Sequence, residues 1–213
     1  PARGLGLALL VFVVVIQANI VRQVKETAAA NLPALFITQI PQAQVTQFDD
    51  LIAAEGVDVT DPEAFRRTPL IIGRVISLKG APLEEDSVAE SERWVVDGEI
   101  GMPYIARQPP EVEIVEGEWW PENYDGPLLV SIEADAARGL GLGIGDMIGF
   151  RVFGREVEAR VASLRNVDWG SFGANTAFIL SPGTLEAAQP QHIAIVQVEP
   201  GGEAAIIEGL ADD

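Results

Sequence analysis

The sequence predicts an α+β chain: an N-terminal apolar helix, then a two-lobed body of strands with a few short helices. Three observations carry that reading. Residues 4–16, "GLGLALLVFVVVI", hold no polar side chain. From residue 34 onward, strand-type alternation and helix-type spacing succeed each other with short connections. The order strand-helix-strand near one end and strand-helix near the other look like two halves of one layer with an insertion between them.

Composition bounds the possibilities. A chain of 213 residues can bury a real core as one large domain or two small lobes. Its formal charge of −18 repels nucleic acid and excludes it as a partner. With no cysteine there is neither a disulfide scaffold nor a Cys-type zinc site. A mean hydropathy of +0.21 is high for so acidic a chain, and the N-terminus explains it.

The first apolar run continues through Ile20 and Val21, at the short end of the roughly 20 residues a spanning helix needs. "QANIVRQVKETAAANLP" then reads as helix up to the residue before Pro33, where a helix should stop. The segment lacks the small-residue cleavage site of a signal peptide. Residues 1–33 are therefore read as a transmembrane helix with a stalk.

Next, "ALFITQI" is β-branched and apolar, a buried strand. "PQAQVTQFDDLIAAEG" sets Val45, Phe48, Leu51 and Ile52 at helical spacing and ends at Gly56. "PLIIGRVISLKG", residues 69–80, returns as a strand, and residues 81–92 form a solvated acidic stretch. Trp119 and Trp120 in "EGEWWPE" are expected in a strand, facing opposite ways. A helix is expected at 132–140, strands near 147–153, 156–165 and 175–181, and a short helix after Pro182. "QHIAIVQVEP" is a further strand and "GGEAAIIEGLADD" a final helix. The expected organisation is 1–33, then a lobe from 34–79 with 190–213, and an inserted lobe at 80–189 of mainly antiparallel strands.

The most conspicuous motif, "ARGLGLGIGDMIGF", fails as a phosphate loop. Asp146 stands where a dinucleotide fingerprint needs its last glycine, no Lys follows, and the order is helix, turn, strand rather than strand, loop, helix. Gly141, Gly145 and Asp146 are read as a structural turn. Any Ser-His-Asp triad would have to use His192, the one histidine, which sits inside a strand pattern. Ser171 misses a nucleophile elbow because Trp169 occupies the first glycine place. No catalytic set, cofactor site or metal site is expected. The loop "SLRNVDWGSFGAN" mixes an aromatic with polar groups. Its Arg165, Asp168, Trp169, Ser171 and Asn175 are the candidate contact with substrate or partner, against the plainer reading of a packed plug.

"GEWWPE", "SIEADAARGLGLGIGDMIGFRVFGREVEARVASLRNVDWGSFGAN", "FILSPGTLE" and "QHIAIVQV" resemble the extracytoplasmic, MacB-type periplasmic core domain of FtsX-like ABC-transporter permeases. The likeness covers residues 4 to about 210 and is strongest from Gly117 to Val198. It is nearest to the branch associated with lysophospholipase or arylesterase export. The resemblance implies a helix in the bacterial inner membrane, with residues after about 22 in the periplasm. It implies a split βαβ lobe plus a small inserted lobe. It also implies a non-catalytic role: a separate cytoplasmic ATPase subunit hydrolyses ATP, and the lobes move around a hydrophobic substrate. Membrane lipid and a periplasmic esterase or lysophospholipase are the further partners implied. A membrane-anchored periplasmic hydrolase is the alternative. A substrate-binding lipoprotein would need a cysteine to lipidate.

Overall fold

A computed structural model describes residues 35–84, 86, 88–167, 176–183, 190–198 and 203–211. All belong to one compact unit, Ala34–Asp213. The expected helix at 1–33 and the expected short helix after Pro182 lie outside the described residues, as do Asp168, Trp169, Ser171 and Asn175. Among the described residues no helix is long and apolar enough to cross a membrane.

The chain enters as β1 (Leu35–Pro41), turns through a 3-10 segment (Gln42–Gln44) into α1 (Val45–Ala54), and returns as β2 (Phe65–Leu78). Phe48 and Ile52, one helical turn apart, are the buried face of α1. Gly56, at φ +87, ends the helix, and its N–H reaches Ala53 O at 3.0 Å. Near the far end of the chain β10 (Gln191–Val196) leads to α3 (Glu203–Ala211). β10 lies between β1 and β2 and runs antiparallel to both. The β1-α1-β2 crossover is therefore split by a strand from more than a hundred residues downstream. Phe48, Ile52, Phe65, Ala194, Val196 and Ile206 close an apolar cluster under this sheet. Each large side chain buried there is worth about 1.5–3 kcal/mol.

β2 is the spine of the molecule. Along one edge its residues 65–70 pair with β10, and its residues 73–78 pair with β7 (Met147–Val152). Along the other edge it pairs with β4 (Ile100–Pro103) and the short β3 (Ala81–Pro82). β7 turns back into β8 (Arg155–Asn166). β8 pairs in parallel with β6 (Leu129–Glu133) and antiparallel with β5 (Glu113–Gly117), and β6 pairs with β9 (Phe178–Leu180). Tyr104 then bridges Leu180 in parallel, just beyond β4. The pairings thus close a ring, β2-β7-β8-β6-β9-β4, and each of its six strands sends apolar side chains into one core. Ile71, Met102, Phe150, Val161, Ile132 and Phe178 represent them in that core. Phe150 and Phe178 meet edge to face at 5.3 Å. Closure leaves the ring without an unpaired edge.

The structure corrects two local expectations. Residues 131–133 are strand, and α2 spans only Ala134–Gly139. Glu133 caps the helix, accepting from Ala136 N at 2.6 Å, so the strand runs directly into the helix that the acidic, alanine-rich stretch advertised. The two tryptophans are not in a strand either. They lie beyond β5 and stack at 4.2 Å, both donating Nε1–H to the same strip of chain: Trp119 to Ala106 O and Trp120 to Ile105 O. Two adjacent indoles point the same way because two neighbouring carbonyls need donors.

Candidate functional site

The glycine-rich turn joins α2 to β7. Leu142 N donates to Ala137 O at 2.8 Å across Gly141, whose φ is +65. Gly145, at φ +86, donates to Val161 O at 2.8 Å. Asp146 Oδ2 accepts from Gly143 N at 2.9 Å and faces Lys79 Nζ at 3.2 Å. The backbone N–H and Lys79 hold the Asp146 carboxyl below its ordinary range. The donors of this loop are thus used on the protein itself.

Arg165 is the described member of the predicted contact loop, and it has no exposed surface. In-register neighbours on paired strands share a face. Ile132 lies between Phe178 and Leu164 on the core side, so Ser131, Ile179 and Ser163 share the other side, with Glu133 opposite Arg165. Ser163 and Ser131 share a hydroxyl hydrogen bond of 2.9 Å. Arg165 Nη2 donates to Thr176 O, while Nε and Nη1 have no hydrogen-bond partner among the described residues. Burial pushes its pKa down to about 10, offset in part by the attraction of Glu133. The guanidinium therefore stays charged at neutral pH inside a layer of serines and one carboxylate. Sequence reasoning singled out Arg165 but missed Ser131, Glu133 and Ser163. The alternation of buried polar residues at 131 and 133 was the available signal, and it was read as helix.

His192 is 4% exposed. Its Nδ1 is 2.9 Å from Arg67 Nη1 and its Nε2 2.7 Å from Gln42 Oε1. Arg67 also donates to both oxygens of Asp49, at 2.9 Å each. Arg67 has only donors, so Nδ1 accepts and Nε2–H donates, which makes the ring neutral. Both nitrogens are engaged in joining β10, β2, α1 and the end of β1.

Among the described residues, a groove and an open hollow could admit a ligand. A groove of about 240 Å³ between β1, α1 and α3 is lined by Ile37, Ile40, Phe48, Leu51 and Leu210, with Gln39, Gln44 and Gln47 among its polar lining. It suits an uncharged apolar group. An open hollow of about 430 Å³ is lined by Ser91, Glu92, Trp94, Glu133 and Asp135. No group of three metal-binding side chains converges among the described residues.

Comparison with known proteins finds similarity to an ABC-transporter permease. The chain is 27% identical over 190 residues to the uncharacterized ABC transporter permease YbbP of Escherichia coli (strain K12). That match takes in 89% of this chain and 22% of the relative, so the chain spans less than a quarter of the curated protein. No family model matches. Among solved structures, a domain assigned to a permease protein from Porphyromonas gingivalis aligns with a TM-score of 0.40 and 13% identity. It covers 86% of this chain and 76% of that one.

Proposed function

We propose that the chain is the extracytoplasmic part of an ABC-transporter permease, a non-catalytic domain that couples ATP hydrolysis on a cytoplasmic ATPase subunit to movement outside the membrane. The observation that carries this reading is the similarity to YbbP along 89% of the chain. The engagement of His192 at both ring nitrogens supports it against a hydrolase, which would need a free base. Residues 1–21 anchor the chain in the bacterial inner membrane, and the body lies in the periplasm. The cargo is hydrophobic, membrane lipid is a neighbour, and an esterase or lysophospholipase is the periplasmic partner.

The moving parts are the lobe of 34–79 with 190–213 and the lobe of 80–189. The apolar side chains form two separate clusters, but Ile71, Val75 and Leu78 belong to the cluster of the ring, so the clusters part within β2 and not at residue 80. Asp168, Trp169, Ser171 and Asn175 stay the proposed contact residues, whereas Arg165, which has no exposed surface, is not itself a contact. The test is a cysteine pair joining the two lobes in the full-length permease, which has no background from this region. Oxidation should depress ATP turnover by the assembled transporter, and reduction should restore it. Full turnover with the cross-link closed would show that the lobes act as one rigid body. Failure of the membrane fraction to retain the chain after carbonate washing would remove the anchor.

A further inference from the structure

His192 lies beneath the turn that carries the chain from β1 into α1. It shares one side of β10 with Ala194 and Val196, which pack against α1, and it stands opposite Ile40 of β1. Its Nε2–H donates to Gln42 Oε1 at 2.7 Å, so a side chain of the turn is fastened to a strand 150 residues away. Its Nδ1 accepts from Arg67 Nη1 at 2.9 Å, and the same guanidinium grips both oxygens of Asp49 on α1. Neither the 3-10 segment nor α1 has a side-chain cap at its start. The bond from His192 to Gln42 is therefore a side-chain tie at an entry that the usual capping groups leave loose.

This arrangement depends on one protonation state. Arg67 has only donors, so Nδ1 must keep its lone pair. A proton on Nδ1 would set two N–H groups face to face, with two positive charges at hydrogen-bond distance. The charges acting on the ring are Arg67 of β2, which opposes the proton, and Asp49 of α1, which favours it but is already engaged by Arg67 at both oxygens. β1, the 3-10 segment and the rest of β10 bring no ionisable side chain. Arg66, the next residue of β2, points to the other face and is held there by Glu111. The ring is only 4% exposed. A buried imidazolium without a free carboxylate has to reach water, and it does so by lifting the turn above it.

We propose that His192 is a proton-operated latch on the β1–α1 turn: neutral, it holds Gln42 down; protonated, it parts from Arg67, releases Gln42 and frees the turn. The turn is also a wall of the groove of about 240 Å³, since Pro41 and Gln44 line it beside Gln47 and Phe48. Release of the latch therefore opens that groove.

The chain has no cysteine, so a nitroxide on Ala43→Cys, an exposed position within the turn, reports on this segment alone. A second label on Glu158→Cys, exposed on β8, is the reference. The experiment uses the whole chain in neutral detergent micelles, with pH lowered from about 7.5 to about 5, across the ordinary histidine value of about 6.5. The turn label should gain mobility with a midpoint below that value, while the reference label keeps its spectrum. His192→Gln offers the same acceptor and donor with no proton to gain, and the acid-induced mobility should be lost. Gln42→Ala removes the catch, and the turn label should be mobile already at about pH 7.5, above the ordinary histidine value. A turn label that ignores pH, or one that responds equally in His192→Gln, would overturn the proposal. So would a turn that stays held in Gln42→Ala. Equal changes at both labels would mean general unfolding rather than a latch and would overturn it as well.

Discussion

Arg67 donates from Nη1 to Nδ1 of His192 at 2.9 Å, so a permanent cation holds the single histidine in its neutral form. Burial is the larger cause of the depressed His192 pKa, the charge of Arg67 the next, and Asp49 offsets part of it. As pH falls, the unfolded chain takes up this proton first, near its ordinary value of about 6.5. The stability contributed by the neutral ring is therefore complete above that value and is lost as pH falls through the folded-state value. Tm should decline on going from about pH 7.5 to pH 5. His192→Gln, which keeps a donor and loses the titration, should flatten that decline. An equally steep decline in the variant would move the effect to the carboxylates.

The buried charge of Arg165 leans on Glu133. Glu133→Gln keeps the shape and an oxygen for the Ala136 cap but removes the opposing charge. Leaving a buried charge without its partner costs about 3–5 kcal/mol, and here about 2–4 kcal/mol is expected because Thr176 O still accepts from Nη2. Adding Arg165→Met should recover part of that loss. Urea unfolding of the two single variants and the double variant gives the coupling, and simple additivity would show that the two groups do not sense each other.

Two glycines separate backbone strain from collision. A Cβ at Gly145 would meet nothing within 4 Å, so Gly145→Ala should cost only the left-handed conformation, about 1 kcal/mol. Gly117, at φ +77, would place a Cβ 2.2 Å from Ala162 O. Gly117→Ala should cost clearly more, about 2–4 kcal/mol, since β5 must move off β8. Equal losses in thermal unfolding would mean that β5 relaxes freely.

The paired tryptophans should respond unequally. Trp120 is 4% exposed and fills space as well as donating to Ile105 O at 2.8 Å. Trp120→Phe should cost about 2–4 kcal/mol through the lost bond and the void. Trp119 is only half-buried, and Trp119→Phe should cost about 1 kcal/mol. Near-ultraviolet circular dichroism should lose the contribution of this coupled pair in both variants, because the stack needs both rings.

Much of the fold could be read locally. The spacing of Val45, Phe48 and Ile52 marked α1, a β-branched apolar run marked β1, alternation marked β10, strand-type stretches marked β7 and β8, and the glycines marked the turn between α2 and β7. These follow from backbone sterics and from the period of side chains on a helix or a strand, which any short window of sequence contains. What the tertiary structure alone decided is which strands meet. The placement of β10 between β1 and β2 joins Arg67 to His192 across 125 residues and Gln42 to His192 across 150. The bridge from Tyr104 to Leu180 closes the ring, and the pairing of Glu133 with Arg165 buries a guanidinium that the sequence presented as a surface loop residue. Periodicity records how a residue faces its own strand, but pairing is set by the burial free energy of both partners at once. A charge two residues from a loop is therefore inside or outside according to a neighbour the local sequence never names.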